Sequence, residues 1–242
     1  MKKSIGMFLL GATLAFGLAC AAYIVSRAAV KVSRSETIRV KGSASQRVRS
    51  DYGSWSGSVA VAAPTQAEAA VKLSSAEKQV AQYIAAVGFK PESIVWGSIS
   101  VSVFHQKNEK GVETNEIYKI QLSRNLEIES KDVDRLETLN RNFTDLVKQG
   151  ITVSNFGSSY IITNLDDYKM KLLNAATENG YKRAETLAGS AGGKVGPLLS
   201  ASQGIFQVLA PGGGDISDYG TYDKSTIDKE IKAVVTLEFS TK

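Results

Sequence analysis

Cysteine and histidine, on which much enzyme chemistry depends, are almost missing from this sequence. Among its 242 residues there is one cysteine, Cys20, and one histidine, His105. His105 stands beside Gln106 and Lys107 at the end of a predicted strand, where we expect an exposed loop residue. Beyond residue 34 the chain has no cysteine, which excludes a Cys–His nucleophile pair, histidine-rich metal sites and disulfide bonds there.

Motifs for nucleophilic and phosphate chemistry are also absent. Residues 53–57 read GSWSG, with the serines at the wrong positions for a Gly-x-Ser-x-Gly nucleophile elbow. Residues 211–215 read PGGGD and lack the Gly-Lys-Ser/Thr of a phosphate loop. We therefore expect no catalytic residue, no cofactor and no bound metal. The alternative is a carboxylate or metal site in the loop 215–228, although its aspartates do not follow EF-hand spacing. These aspartates are Asp215, Asp218, Asp223 and Asp228.

The positive net charge does not indicate a nucleic-acid partner. The chain has 29 Lys and Arg against 24 Asp and Glu, a formal net charge of +5. Residues 1–34 contain five basic residues and no acidic one, so the rest of the chain carries 24 charges of each sign. The basic excess therefore belongs to the N-terminal segment, and nucleic acid is not expected as a partner.

Residues 1–34 have the composition of a targeting segment. Two lysines precede an uncharged run of 23 residues, 4–26, which is long enough to cross a bilayer. Small residues suited to a signal peptidase lie within the same run. The segment is therefore either a membrane anchor over residues 4–26, which its length favours, or a secretory signal peptide whose removal leaves a soluble exported protein. Both alternatives predict that residues 35–242 form an exported domain.

Residues 36–242 alternate between strand and helix periodicities. Apolar residues at every second position predict strands around 38–42, 55–63, 95–104, 118–128, 151–163, 195–209 and 231–239. Apolar residues at steps of three and four predict helices at 65–87, 131–149 and 166–191. The order ββαββαβαββ predicts an α+β fold. About three helices would pack on a mostly antiparallel sheet with βαβ-type units, preceded by one N-terminal hydrophobic helix.

The apolar stripes predict which face of each helix is buried. The first helix is expected to bury Ala67, Ala70, Val71, Ser74, Val80, Ile84 and Val87. The second is expected to bury Val133, Leu136, Leu139, Phe143 and Leu146. The third is expected to bury Met170, Leu173, Ala176, Gly180, Ala184, Leu187, Ala188 and Ala191. Because small residues let a helix approach its neighbours closely, we expect the third helix to be central.

The segment Ile94–Glu129 is predicted to form a long antiparallel hairpin with one face open to solvent or to a partner. Trp96 and Phe104 are expected to share the polar face of its first strand. Uncharged polar residues with two exposed aromatics suit a symmetric subunit contact. We therefore predict a homo-oligomer with Trp96 and Phe104 in the contact. The alternative is a monomer in which Tyr219 and Tyr222 cover them.

Six features of the chain, in their order, resemble a known family pattern. They are ETIRVKG at 36–42, Gly88 before the 95–104 strand, the 118–128 strand, Gly150-Ile151, AGGKVG at 191–196 and the terminal alternating strand. This series resembles the SIMPL-domain family of exported bacterial proteins over about residues 36–242. Two segments differ from the family pattern. Ser50-Asp51 stands where members commonly have Pro-Asp, and 227–230 stands where they have Pro-Gly.

The resemblance implies a cell-envelope protein with no agreed catalytic site, in some members linked to oxidative-stress defence and to ring-like oligomers. Together with the residue analysis it predicts a non-enzymatic periplasmic or envelope protein that acts by oligomerisation or by binding another envelope protein. Its N-terminal segment would contact the membrane. The alternative is an envelope enzyme that uses the 215–228 loop.

The targeting hypothesis makes a direct prediction. If residues 4–26 are an uncleaved anchor, carbonate washing should leave the full-length chain in the membrane pellet, because the apolar run stays in the bilayer. Immunoblotting of pellet and supernatant measures this. A soluble species that begins near Ala21 or Ala22 would instead identify a cleaved signal peptide.

Overall fold

The structure is a computed structural model that describes residues 13, 15–26, 37–213 and 220–241. Residues 15–26 form a helix, α1. Among the described residues, no helix combines the length and the apolar character needed to cross a membrane. The predicted anchor over residues 4–26 lies partly outside the described residues, and the division of the chain at residue 34 remains a prediction.

In this described part, the chain has an α+β fold, as predicted. Two short 3-10 helices, Pro91–Ser93 and Phe143–Gln149, accompany the main elements. The strands are β1 Thr37–Arg49, β2 Tyr52–Ala63, β3 Ile94–Lys107, β4 Glu113–Ser130, β5 Thr152–Ile161, β6 Val195–Gln203, β7 Gln207–Leu209 and β8 Asp228–Thr241. The remaining α-helices are α2 Gln66–Val87, α3 Val133–Asn142 and α4 Leu165–Ser190.

The chain divides into two compact units. The first contains Met1–Ala44, Lys171–Gly204 and Ala233–Lys242, and the second contains Ser45–Met170 and Ile205–Lys232. The strands form two sheets, where the sequence predicted one. The predicted strand 195–209 is also divided, into β6 and β7. Sequence periodicity cannot decide either point, because sheet membership depends on which strands pair.

The first unit is built on the sheet order β1-β8-β6 and on the larger part of α4. β1 continues to Arg49, whereas the sequence predicted a short strand that ends at Gly42. The prediction stopped early because the second half of β1 is polar and lacks the apolar alternation. The predicted apolar alternation of β8 is confirmed, since Ala233, Val235, Leu237 and Phe239 are all buried.

The predicted stripe of α4 is confirmed at its small residues. Ala176, Gly180, Ala184 and Ala188 are buried at regular steps of four. Met170, Leu187 and Ala191 are exposed, so the predicted stripe was too wide. Contact with β1 is close: a Cβ atom built on Gly42 would lie 2.6 Å from the backbone nitrogen of Gly180 and would also overlap the Ala176 carbonyl oxygen.

The second unit contains the sheet order β3-β4-β2-β5, packed against α2 and α3. Trp55 of β2 lies in this core, with its ring edge-on to Phe143 at a centroid distance of 4.6 Å. The predicted stripe of the second helix is confirmed, because Val133, Leu136, Leu139, Phe143 and Leu146 are all buried. Gly150 ends this segment in the left-handed conformation, at φ 82°.

The predicted buried face of α2 is wrong over its first half. The helix buries Ala69, Leu73, Ala76, Val80 and Ile84. Ala67, Ala70 and Val71 are exposed instead. Alanines occur on several sides of this half, so their spacing does not define a phase, whereas packing on the sheet selects the face that contains Leu73.

The close contact of Gly42 with α4 predicts a specific loss of stability. Gly42→Ala should lower the free energy of unfolding by about 3 kcal/mol, because the added methyl group meets helix backbone that cannot move aside. Urea unfolding of the full chain, followed by circular dichroism, measures the change. The matched control is Gly189→Ala, where nothing lies within 4 Å of the new Cβ. That substitution should stabilise the helix by up to about 1 kcal/mol, and a similar loss in both variants would contradict the prediction.

Candidate interaction surface

The aspartate loop lies between β7 and β8, and its described part does not gather carboxylates. Asp215 and Asp218 fall outside the described residues. Asp223 Oδ1 accepts hydrogen bonds from the Ser225 backbone N–H at 3.1 Å and from the Ser225 hydroxyl at 2.7 Å. Asp223 Oδ2 accepts from the Thr226 backbone N–H at 3.2 Å and from its hydroxyl. The carboxylate therefore folds the loop and is not open to a ligand.

Beneath this loop lies a buried lysine. Lys229 has no exposed surface, and its Nζ donates to the carbonyl oxygens of Asp223 at 2.5 Å and Thr226 at 2.7 Å. Burial lowers the pKa of Lys229. Burial alone would raise the pKa of Asp223, but hydrogen bonds from Thr226 and Ser225 and the charge of Lys229 outweigh it and hold that pKa well below its usual value. Asp223 therefore remains ionised at neutral pH.

The search for a candidate metal site is confined to the described residues. Within this part of the chain, no group of three or more His, Cys, Asp or Glu side chains is placed to hold an ion. Asp228, the other described aspartate of the loop, is exposed. Its backbone carbonyl oxygen lies 2.8 Å from the Thr226 hydroxyl oxygen.

A polar cluster that the sequence analysis did not single out joins α3 to β5. The Tyr160 hydroxyl donates to Glu137 Oε2 at 2.7 Å, and Arg141 Nε donates to Glu137 Oε1 at 2.7 Å. An open depression of about 390 Å³ lies beside these three residues. The i,i+4 spacing of Glu137 and Arg141 was the available sequence signal, but nothing in the sequence pairs them with Tyr160.

The protonation states of this cluster do not suit acid–base chemistry. Burial raises the pKa of Tyr160 to about 12. Burial also tends to raise the pKa of Glu137, but hydrogen bonds from Tyr160, Arg141 and Asn140 lower it overall. Glu137 therefore stays ionised and Tyr160 stays protonated through neutral pH, whereas a general acid or base needs a pKa near the working pH.

A second polar network shapes the outer strand β5. Asn155 Oδ1 accepts from the Trp55 indole N–H at 2.9 Å and from the Gly157 backbone N–H at 2.9 Å. Asn155 Nδ2 donates to the Asn140 carbonyl oxygen at 2.6 Å. At this point the register with β2 shifts, so that Phe156 has no partner residue and is exposed. The result is a β-bulge at a sheet edge, with Gly157 at φ 93°.

Trp96 and Phe104 lie on the other outer strand, β3, but on opposite faces. Trp96 pairs with Leu126 of β4 and Phe104 pairs with Lys119. Residues 126 and 119 have opposite parity on a strand that alternates regularly, so the prediction that the two aromatics share one face is wrong. The cause is a register shift between Trp96 and Ile99, which reverses the alternation.

The two aromatics also differ in burial. Trp96 is half-buried and packs against the core, with the Arg124 guanidinium 5.4 Å from its ring centroid. Phe104 is 41% exposed, and Lys119 Nζ lies 4.9 Å from its ring centroid. Tyr219, which was proposed to cover them, is outside the described residues. The Tyr222 hydroxyl accepts a hydrogen bond from the Ile162 backbone N–H at 2.9 Å.

Large apolar side chains are exposed along the β3–β4 hairpin, in addition to Phe104. They are Val95, Ile99, Val101, Val103, Ile117 and Tyr118. Apolar residues that are exposed together, as opposed to singly, are typical of interaction sites. We define the hairpin surface as these six residues together with Phe104. It has two faces, because Ile99, Val101 and Val103 pair with one side of β4, whereas Val95 and Phe104 pair with the other.

The role of Asp223 can be tested by substitution. Asp223→Asn should lower the free energy of unfolding by about 1.5–3 kcal/mol, because charge-assisted hydrogen bonds are lost above a buried lysine. Because the pKa of Asp223 is depressed in the folded protein, its contribution is present above the unfolded-state pKa and declines as the pH falls below it. Urea unfolding at pH 7 and pH 3 measures both effects. Asp228→Asn is the matched control, and an equal loss there would refute the structural role of Asp223.

The comparisons with known proteins agree with the resemblance found in the sequence. No curated protein matches the chain. Residues 38–239 match the family model SIMPL, described as a protein of unknown function (DUF541). The match extends from the start of β1 into the last residues of β8, and so includes the elements of both compact units. The chain therefore belongs to the SIMPL family.

Proposed function

We propose that this protein is a non-enzymatic, exported component of the cell envelope that acts by self-association or by binding another envelope protein. The observation that carries the proposal is the hairpin surface. Seven large apolar side chains of one hairpin are 41–64% exposed, although burying them would stabilise the protein. A surface of this kind supports a binding function more than a catalytic one.

The state of the described polar groups supports the non-enzymatic part of the proposal. Asp223 is engaged by Ser225 and Thr226. The Glu137–Tyr160 pair has pKa values that lie away from neutrality. The alternative, an envelope enzyme with a carboxylate or metal site in the 215–228 loop, gains no support from the described part of that loop.

Export and membrane attachment are proposed from the N-terminal segment. Residues 15–26 are helical, exposed and uncharged, and they belong to the apolar run 4–26. An inner-membrane anchor accommodates such a helix, and a cleaved signal peptide with a soluble periplasmic product is the alternative. A role in envelope or oxidative-stress defence is proposed from the family resemblance alone.

Self-association through the hairpin surface predicts a measurable molar mass. The full chain, purified in mild detergent with a reductant, should be larger than a monomer by light scattering after correction for bound detergent. Phe104→Ser should shift it toward the monomer, because an exposed aromatic leaves the contact. Val71→Ser is the matched control, since Val71 is exposed on α2 outside the hairpin. Trp96→Ser is a poor probe, because Trp96 packs on the core.

A monomer at high micromolar concentration would overturn self-association. In that case, affinity capture from detergent-solubilised envelopes tests the other half of the proposal. A partner that the unmodified chain retains and the Phe104→Ser chain loses would support hetero-association through the hairpin surface. Equal capture by both chains would count against that surface.

A further inference from the structure

The sheet in the second unit has two edge strands, and both contain register shifts. One edge is β5, which carries the bulge at Phe156 and Gly157. The other edge is β3, where six consecutive residues, Ile99–Phe104, keep an unbroken register with β4. The register shifts of β3 lie on either side of this segment. Bulges are a usual protection against edge-to-edge pairing, so the part of β3 that remains open to pairing is the unbroken segment Ile99–Phe104.

The composition of Ile99–Phe104 also favours strand pairing. The segment reads ISVSVF and has no charged residue, no proline and no glycine. Charged residues and proline are the features that normally block an edge strand. Among the residues that the structure describes, no strand pairs with the outer side of β3. The unpaired backbone groups there suit an added strand.

The segment is complementary to itself. Ile99, Val101 and Val103 face one side of the sheet, while Ser100, Ser102 and Phe104 face the other. In an antiparallel pair of two such segments, residues that face each other lie on the same side of the sheet. Branched apolar residues would therefore meet branched apolar residues on one side, and serines would meet Ser or Phe on the other.

Lys107 at the C-terminal end of β3 favours the antiparallel direction. Antiparallel pairing places it away from the Lys107 of the second copy. Parallel pairing would place Lys107 beside Lys107, which is unfavourable. If β3 of one copy instead paired with β5 of a second copy, the contact would have to accommodate the bulge at Phe156.

We propose that Ile99–Phe104 of β3 pairs antiparallel with the same segment of a second copy, about a two-fold axis near Val101 and Ser102. The proposal rests on the self-association proposed above and names its geometry. Both copies use the same patch, so the contact is closed and forms a dimer. The occupant of the edge is thus a second copy of this chain.

Single cysteines test the proposed axis, because Cys20 is the chain's one cysteine. In the full chain carrying Cys20→Ser, each of the six positions 99–104 is changed in turn to Cys, oxidised and analysed on a non-reducing gel. A disulfide requires Cα atoms about 4.4–6.8 Å apart, so a residue at the axis bonds its own copy. We expect the strongest dimer at Val101→Cys or Ser102→Cys. The matched controls are Val71→Cys on α2 and Ser154→Cys on β5, which are also exposed and should stay monomeric.

A charge exchange gives a second measurement. Val101 is half-exposed, so a charged side chain there is compatible with folding. Val101→Lys and Val101→Glu should each weaken the dimer by more than about tenfold, because two like charges meet at the axis. An equimolar mixture of the two variants should dimerise again, which a merely structural defect would not do.

The outcomes separate this proposal from self-association itself. A lysine-reactive cross-linker reports association independently of the cysteines. Cross-linked oligomers with no disulfide at any of positions 99–104 would overturn the β3 pairing and leave self-association standing. The absence of any cross-linked oligomer would overturn both. Disulfide formation at Val71→Cys or Ser154→Cys as efficient as at the axis would also overturn the pairing, since it would reflect random collision.

Discussion

Burial of Trp55 is the constraint on which the second unit depends. Its side chain has no exposed surface, so its indole N–H needs an acceptor inside the protein. Asn155 supplies that acceptor, and the same oxygen binds the Gly157 backbone N–H. A single amide therefore couples the core to the β-bulge of β5. The bulge interrupts this edge of the sheet, and at the opposite edge the unbroken register of β3 is confined to Ile99–Phe104.

The polar groups of the interior serve this architecture. Burial raises the pKa of Tyr160, and hydrogen bonds from Tyr160, Arg141 and Asn140 lower the pKa of Glu137 against the effect of burial. The hydrogen bond between Tyr160 and Glu137 connects β5 to α3. Asp223 and Lys229 hold the loop before β8 in the same manner. With these groups committed to structure, the exposed apolar residues of the hairpin are the described feature on which the proposed binding role rests.

Much of the fold could be predicted because its signals are local. Strict alternation in β8 specified the buried residues Ile231, Val235 and Phe239, and steps of three and four in α3 specified Leu136 and Leu139. Glycine marked the ends of the first and second predicted helices for a conformational reason, since Gly88 and Gly150 adopt positive φ. The small-residue face of α4 was likewise visible in the sequence. Each of these depends on neighbours within a few residues along the chain.

The sequence by itself thus determined the α+β class, the order of elements, the buried faces of α3 and β8 and the SIMPL family. Tertiary structure alone decided that the strands form two sheets, that α2 buries Leu73 and exposes Val71, and that Trp96 and Phe104 lie on opposite faces of β3. The physical reason is common to all three. Contact with a distant segment decides which face of a weakly patterned helix is buried, which strands share a sheet and where a bulge forms. Periodicity along one strand does not show that its partner strand will leave a residue unpaired.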